Sequence, residues 1–173
     1  MALLDQLGGI LRQYTEGQSA TPPQPEKDLE HVATHGASED VAHGLATAFR
    51  SDQTPSFGEM VSQLFSNSNP SQRAGLLGTL ISEGGPALLS KLVSLGGVAS
   101  ELPRDGQPVS PEQAAKVSPE TVQEIASHAE KQDPSIVDRV SQYYSQHPQL
   151  IATMGKIAAT VALMGIANRM TKR

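Results

Sequence analysis

Apolar positions along this chain recur every three or four residues, which is the spacing of one face of a helix. The first segment, residues 1–15, keeps this spacing with large side chains at six positions: Leu3, Leu4, Leu7, Ile10, Leu11 and Tyr14. No stretch sustains the strict alternation of apolar and polar residues that is typical of half-buried strands. The pattern therefore predicts an all-α fold that opens with an amphipathic helix.

Prolines indicate where the later helices begin. Five of them follow a residue with a capping side-chain oxygen: Thr54-Pro55, Asn69-Pro70, Ser110-Pro111, Ser118-Pro119 and Asp133-Pro134. Such an oxygen accepts a hydrogen bond from a free backbone amide, and proline has no N–H to leave unpaired at the first helical position. Taking Gly84-Gly85-Pro86 as a further stop, the sequence predicts helices near 28–34, 39–50, 55–66, 70–83, 86–95, 111–116, 119–131, 134–146 and 148–171.

Two stretches rich in Pro, Gly and polar residues, 16–25 and 96–108, are expected to be linkers. They leave a helical core module over 26–95 and a C-terminal helical module over 109–173. Residues 109–147 have the rhythm of short helix, turn and helix found in homeodomain-like units. Residues 108–147 carry three Lys or Arg against six Asp or Glu, a balance that phosphate would repel. We therefore expect no nucleic-acid partner.

The C-terminal segment has a different composition from the rest of the chain. Residues 148–173 contain four Lys or Arg and no Asp or Glu, whereas the whole chain has a net charge of −5. Between Leu150 and Ala167, 13 of 18 residues are apolar. Small residues recur there at helical spacing, which allows close approach between helices: Ala152, Gly155, Ala158, Ala159, Ala162 and Gly165. We expect one long apolar helix that must be covered by protein or by lipid.

These features predict a protein that uses apolar helix faces for contact with a protein partner or with copies of itself. The predicted interaction residues of the tail helix are Ile151, Gly155, Ile157, Val161, Leu163, Met164 and Ile166. Those of the N-terminal helix are Leu3, Leu4, Leu7, Ile10 and Leu11.

Membrane association through residues 148–173, as a tail anchor or at the surface, is the alternative interpretation. Eighteen helical residues span about 27 Å, slightly less than a hydrocarbon core of about 30 Å. Lys156 lies near one edge of that span, and Arg169 and the other terminal cations would meet anionic headgroups.

No motif in the sequence indicates catalysis. His31 and His35 are four residues apart and His43 follows, but Gly36 and Ser38 interrupt a shared helix, so we expect solvent-exposed histidines. Cysteine is absent, and neither a G-x-S-x-G elbow nor a Walker pattern occurs. We predict a non-catalytic protein without cofactor or metal. The lack of cysteine and of a visible secretory signal favours the cytoplasm.

Three stretches resemble the YidB-like family of bacterial proteins of unknown function. They are residues 1–10 (MALLDQLGGI), 71–80 (SQRAGLLGTL) and 109–125 (VSPEQAAKVSPETVQEI). The resemblance implies a small all-helical bacterial protein with a homeodomain-like unit and no established activity. The family has no known catalytic residues that could be assigned here. The extended apolar tail is the part of this chain that differs from the simpler members of the family.

Overall fold

The computed structural model describes residues 2–15, 24–96, 102 and 108–171, and every regular element in these ranges is a helix. Most of the two predicted linkers and the side chains of Leu3 and Leu4 lie outside the described part. The described helices, numbered in chain order, are α1 (Ala2–Thr15), α2 (Pro25–His35), α3 (Ser38–Arg50), α4 (Phe57–Ser66), α5 (Pro70–Leu95), α6 (Pro111–Ala115), α7 (Pro119–Gln132), α8 (Ile136–Ser145), α9 (Pro148–Ile151) and α10 (Lys156–Thr171). The predicted all-α class is confirmed.

Three of the predicted caps are confirmed. Asn69, Ser110 and Ser118 each accept a hydrogen bond from the backbone amide three residues later, at 2.8, 3.2 and 3.2 Å. At Asn69 and Ser110 the glutamine at that later position also accepts a bond from the cap residue's own amide, which completes a reciprocal capping box.

Two predicted starts were wrong. Ser56, after Thr54-Pro55, is the cap of α4, and the Thr54 hydroxyl instead donates to the carbonyl of Ser51 at 3.0 Å. Asp133 accepts from the Ser135 amide at 3.0 Å in a turn, so α8 begins only at Ile136. In both places a side-chain hydrogen bond holds the turn that leads into the helix, and the helix itself begins two residues after the proline.

The predicted stop at Gly84-Gly85-Pro86 was also wrong, because α5 is continuous from Pro70 to Leu95. Leu77 and Leu80 before this point and Leu88 and Leu92 after it are all buried. At helical spacing these four side chains share one face. Burial of that continuous face outweighs the local cost of glycine and proline in a helix.

The C-terminal segment is two helices rather than the single long helix that the sequence predicts. α9 ends at Ile151, and a turn precedes α10. Gly155 closes this turn with φ of +97°, a conformation that glycine adopts at little cost. Among the described residues, none of the helices combines the length and apolar character needed to cross a bilayer.

Contacts within the chain divide it into two compact units. The terminal unit comprises Met1–Pro55 and Ser141–Arg173, and the central unit comprises Ser56–Val140. This division does not coincide with the predicted module boundary at 96–108, since α5 packs against α6 and α7 from beyond that boundary.

In the terminal unit, α10 contacts α1, α2 and α3, and α9 contacts α2. Its fully buried apolar side chains include Leu29, Leu45, Leu163 and Ile166. In the central unit, α4 and α5 each pack against α7. Phe57, Leu64 and Phe65 of α4 are buried there, together with Leu76 and Leu80 of α5 and Val122 and Ile125 of α7. Each unit thus has its own apolar interior.

Candidate interaction surface

The closest helix pair of the terminal unit, α3 and α10, meets at two glycines. A Cβ added to Gly165 would lie 3.0 Å from the Gly44 Cα and 3.0 Å from the Thr47 Cβ. A Cβ on Gly44 would collide with the Ala162 carbonyl oxygen and the Ile166 side chain. The small residues Ala162 and Gly165, which the sequence indicated, therefore allow close backbone approach, and the helix that packs against them is α3.

An ion pair ties the same two helices together. The Nε of Arg169 lies 3.0 Å from the Oδ1 of Asp40, whose side chain is only 6% exposed, while that of Arg169 is 39% exposed. Since Asp40 meets Arg169 and Gly44 meets Gly165, the two helices run antiparallel. A buried carboxylate needs a hydrogen-bonded cation to compensate its lost hydration. Arg169 therefore contacts a carboxylate of the same chain, whereas the membrane interpretation placed it among lipid headgroups.

The outer face of α10 exposes apolar side chains. Ile157 is 62% exposed and Met164 is 42% exposed, with the partly exposed Val161 between them. The spacing of four and then three residues puts these side chains on one face, and we call them the α10 strip. Among the other large apolar side chains that the structure describes, only Val93 of the central unit is comparably exposed, at 52%.

Beside the α10 strip, α3 exposes three polar side chains on one face: His43, Thr47 and Arg50. Between them and Val161 is an open groove of about 400 Å³, which we call the α3–α10 groove. Ala46 and Ser51 complete its lining, which contains no carboxylate. The Thr47 hydroxyl donates to the His43 carbonyl at 2.9 Å, so its oxygen faces a ligand mainly as an acceptor.

The structure separates the predicted tail residues into two groups. Ile151, Leu163 and Ile166 are buried inside the terminal unit, whereas Ile157, Val161 and Met164 form the exposed strip. Gly155 belongs to the turn before α10.

The predicted residues of α1 lie against the same chain. Leu7 and Leu11 are buried and Ile10 is partly exposed, and α1 packs on α10. The sequence analysis considered His43 only as a solvent-exposed histidine and missed Thr47 and Arg50, although the spacing of four and three residues places all three on one helix face.

The histidines singled out in the sequence do not converge on one point. His31 and His35 stack with ring centroids 4.5 Å apart, and the His35 Nδ1 lies 3.0 Å from the His31 carbonyl oxygen. His43 belongs to α3 and is exposed. Over the described ranges, no three His, Asp or Glu side chains are grouped to hold a metal ion.

The α10 strip and the α3–α10 groove combine apolar carbon with imidazole, guanidinium and hydroxyl groups at one surface. This combination suits non-covalent binding of a ligand that is itself amphipathic. No family model, curated protein or solved structure matches this chain.

Proposed function

We propose that this chain is a non-catalytic interaction protein whose α10 strip binds a helix of a protein partner. The supporting observation is the alignment of Ile157, Val161 and Met164 on the solvent face of α10. A full burial of one such side chain contributes about 1.5–3 kcal/mol. A partner helix with apolar residues at matching spacing would cover all three.

The shape of the surface favours a helix as the occupant. The strip borders a concave groove between two antiparallel helices, and Val161 belongs to both. An amphipathic helix lies along such a groove and places its own apolar residues into it. Membrane attachment through residues 148–173 is the second candidate, and it would bury the same apolar side chains in lipid.

The test compares the α10 strip with the exposed valine of the central unit. A double variant, Ile157→Ser with Met164→Ser, removes most of the strip, and Val93→Ser removes a side chain of similar exposure elsewhere. The probe is a fluorescein-labelled, helix-forming peptide with a leucine stripe and glutamine at the remaining surface positions, measured by fluorescence anisotropy. We expect the double variant to lose at least about tenfold in affinity, which corresponds to about 1.4 kcal/mol, while Val93→Ser binds like the parent.

Equal binding by all three proteins, or no binding by any, would overturn the proposal. Sedimentation velocity of the unlabelled proteins examines the other occupants: a dimer lost in the double variant would show that a second copy covers the strip. Flotation with anionic vesicles that depends on the strip, or recovery of the full chain in the membrane pellet after detergent-free fractionation, would favour the membrane alternative over a cytoplasmic interaction protein.

We also propose, from the sequence, that residues 109–147 form a homeodomain-like unit of the YidB-like type. The support is the succession of α6, α7 and α8 with caps at Ser110 and Ser118, together with the three stretches that resemble the family. A YidB-like protein whose experimental structure lacks this succession of short helices would remove that support.

A further inference from the structure

We propose that α1 is a detachable helix covering a second side of α10, and that this side binds an amphipathic helix with leucines four residues apart when α1 leaves. The observation behind it is a pair of adjacent glycines, Gly8 and Gly9, in the middle of α1. The inference rests on the proposed function in that both assign helix binding to α10, and it adds a side distinct from the α10 strip.

The two glycines of α1 are required neither by its packing nor by its backbone. A Cβ added to Gly8 or Gly9 would meet no atom within 4 Å, whereas one on Gly44 would collide with α10. Neither glycine has a positive φ. Each lowers the equilibrium constant for helix formation about fourfold to fivefold relative to alanine, and the pair about twentyfold. The sequence therefore weakens α1 at positions where alanine would fit.

The attachment of α1 to the terminal unit is small. Of its described side chains, those of residues 5–12, only Leu7 and Leu11 are buried. α1 has 14 residues, and an isolated helix of about this length is marginal in water. We therefore expect α1 to be helical when it is docked and to lose its helix when it leaves α10.

The side of α10 that lies beneath its other neighbours differs from the α10 strip. Besides α3, which meets α10 at Gly165, α10 packs against α1 and α2. Ala159 and Leu163 are buried and four residues apart, so they share a side that faces neither α3 nor the solvent. α1 packs more extensively on α10 than on α2. Departure of α1 would therefore uncover apolar surface of α10 that suits a helix with the leucine spacing of α1.

The chain between α1 and α2 is long enough to let α1 leave while it stays attached. Residues 16–24, nine in number, read EGQSATPPQ and contain no large apolar side chain. At up to about 3.3 Å for each residue, they reach about 30 Å, more than the length of α1 at about 1.5 Å per residue. Because a short tether gives an effective concentration of about millimolar, α1 competes with a partner helix until α1 is weakened or the partner binds more tightly.

Amide hydrogen exchange of the full chain, followed by NMR, measures the release of α1 without any partner. We expect the amides of residues 7–12 to exchange faster than those of α3, because α1 opens while the rest of the terminal unit stays folded. Gly8→Ala with Gly9→Ala should slow exchange in α1 about twentyfold. Gly78→Ala in α5 also has no atom within 4 Å of its added Cβ, so it is the matched control and should leave exchange in α1 unchanged.

Two results of this experiment would overturn the inference. Equal exchange rates in α1 and α3 of the parent would show that α1 leaves only when the whole terminal unit unfolds. Unchanged exchange in the double alanine variant would show that the glycines do not control the release.

Binding in trans tests the uncovered side of α10. The probe is a fluorescein-labelled peptide of residues 1–15, measured by fluorescence anisotropy against full-length proteins. Leu7→Ser with Leu11→Ser in the protein removes the docked side chains of α1, and we expect the peptide to bind this variant at least about tenfold more tightly than the parent. Gly8→Ala with Gly9→Ala in the protein should weaken binding at least about tenfold. A peptide with serine at both leucine positions is the control and should not bind.

The outcomes separate this inference from the proposed function. Equal peptide binding by the parent and the double alanine variant would overturn the inference, and this comparison holds even if circular dichroism shows the double serine variant to be unfolded. Binding that is lost in Ile157→Ser with Met164→Ser would place the peptide on the α10 strip, which supports the proposed function and overturns the inference. Binding that survives this change and increases when Leu7 and Leu11 are replaced supports the inference, whatever the strip binds.

Discussion

Two helix pairs in this protein are built around glycine, one in each unit, and their outer faces differ. In the terminal unit, α3 meets α10 at Gly44 and Gly165; in the central unit, a Cβ on Gly58 of α4 would lie 2.8 Å from the Gln123 carbonyl oxygen of α7. The exposed side of α7 carries charged residues such as Glu120 and Glu124. The exposed side of α10 carries Ile157 and Met164 instead.

The comparison shows that close helix packing does not require an apolar outer face. α7 packs as a helix of its unit with a charged exterior, so the α10 strip is not a consequence of the glycine contact. The glycine contact therefore does not account for the exposed isoleucine and methionine of this strip, and binding of a partner is the explanation that we propose.

The ion pairs of the two units also differ. Arg169 and Asp40 meet at 3.0 Å around a carboxylate that is 6% exposed. Lys91 and Glu124 in the central unit are 3.8 Å apart, with side chains 34% and 56% exposed. An exposed pair contributes little to stability, whereas removing the cation beside a buried carboxylate leaves that carboxylate without compensation for its lost hydration.

The largest expected effect concerns the glycine contact. Gly44→Ala should lower the free energy of unfolding of the terminal unit by about 2–3 kcal/mol, since the new methyl group would meet the Ala162 carbonyl oxygen and Ile166. Gly78→Ala in α5 is the control, because no atom lies within 4 Å of its added Cβ. It should raise the free energy of unfolding by about 0.5–1 kcal/mol through the loss of glycine's flexibility. Urea unfolding followed by circular dichroism measures both, and an equally stable Gly44→Ala variant would contradict the close approach of α3 and α10.

The ion pairs give the next effect. Arg169→Met should lower the free energy of unfolding by about 2 kcal/mol, because it removes the charged hydrogen bond that the buried Asp40 carboxylate accepts. Lys91→Met should change the free energy of unfolding by less than about 0.5 kcal/mol. The same urea titrations test this pair. Equal losses of stability in the two variants would mean that water solvates the Asp40 carboxylate as fully as it solvates the Glu124 carboxylate.

A smaller effect separates two buried hydroxyl groups. The Ser68 hydroxyl of the central unit donates to the Leu64 carbonyl at 2.6 Å, whereas among the described residues the Tyr144 hydroxyl of the terminal unit has no hydrogen-bond partner. Ser68→Ala should therefore lower the free energy of unfolding by about 1 kcal/mol. At neutral pH, Tyr144→Phe should leave it unchanged or raise it by up to about 1 kcal/mol. A cost at Tyr144 like that at Ser68 would indicate that a bound water satisfies the phenol.

The same tyrosine predicts an alkaline pH dependence. Burial, and secondarily the adjacent Tyr143, raises the pKa of Tyr144 well above its ordinary value. Above pH about 10 the unfolded chain loses this proton while the folded protein retains it, so the stability present below that pH decreases as pH rises towards the folded pKa. In Tyr144→Phe the free energy of unfolding should decrease less steeply between pH about 9 and 11 than in the parent. Burial also raises the pKa of Tyr143, and this residue contributes to the decrease in both proteins. Parallel curves would contradict the burial of Tyr144.

The smallest effect is expected at the α10 strip itself. Ile157→Ser and Val93→Ser should each change the free energy of unfolding by less than about 0.5 kcal/mol, since both side chains are more than half exposed. Only Ile157→Ser should weaken peptide binding. A large loss of stability in Ile157→Ser would show that this side chain serves the fold rather than a partner.

Local features were predictable from the sequence because their physical causes lie within a few residues. The helical spacing of apolar residues gave the all-α class, and the caps at Asn69, Ser110 and Ser118 form with amides three residues away. Where local preferences compete with burial, the helix boundaries predicted from the sequence alone were wrong. Leu80 and Leu88 keep α5 continuous through Gly84-Gly85-Pro86, and the turn at Gly155 divides a segment that reads as one helix.

Charge, helical spacing and the apolar character of residues 148–173 were fixed by the sequence itself. Which side of α10 is covered was decided only by the tertiary structure, because a helix that is apolar on nearly every side has no periodicity to distinguish Leu163, which is buried, from Ile157, which is exposed. Its main contact is α3, and the Arg169–Asp40 pair joins residues 129 positions apart. The α3–α10 groove exists because this distant pairing sets His43 and Arg50 beside Val161, a proximity that no local pattern encodes.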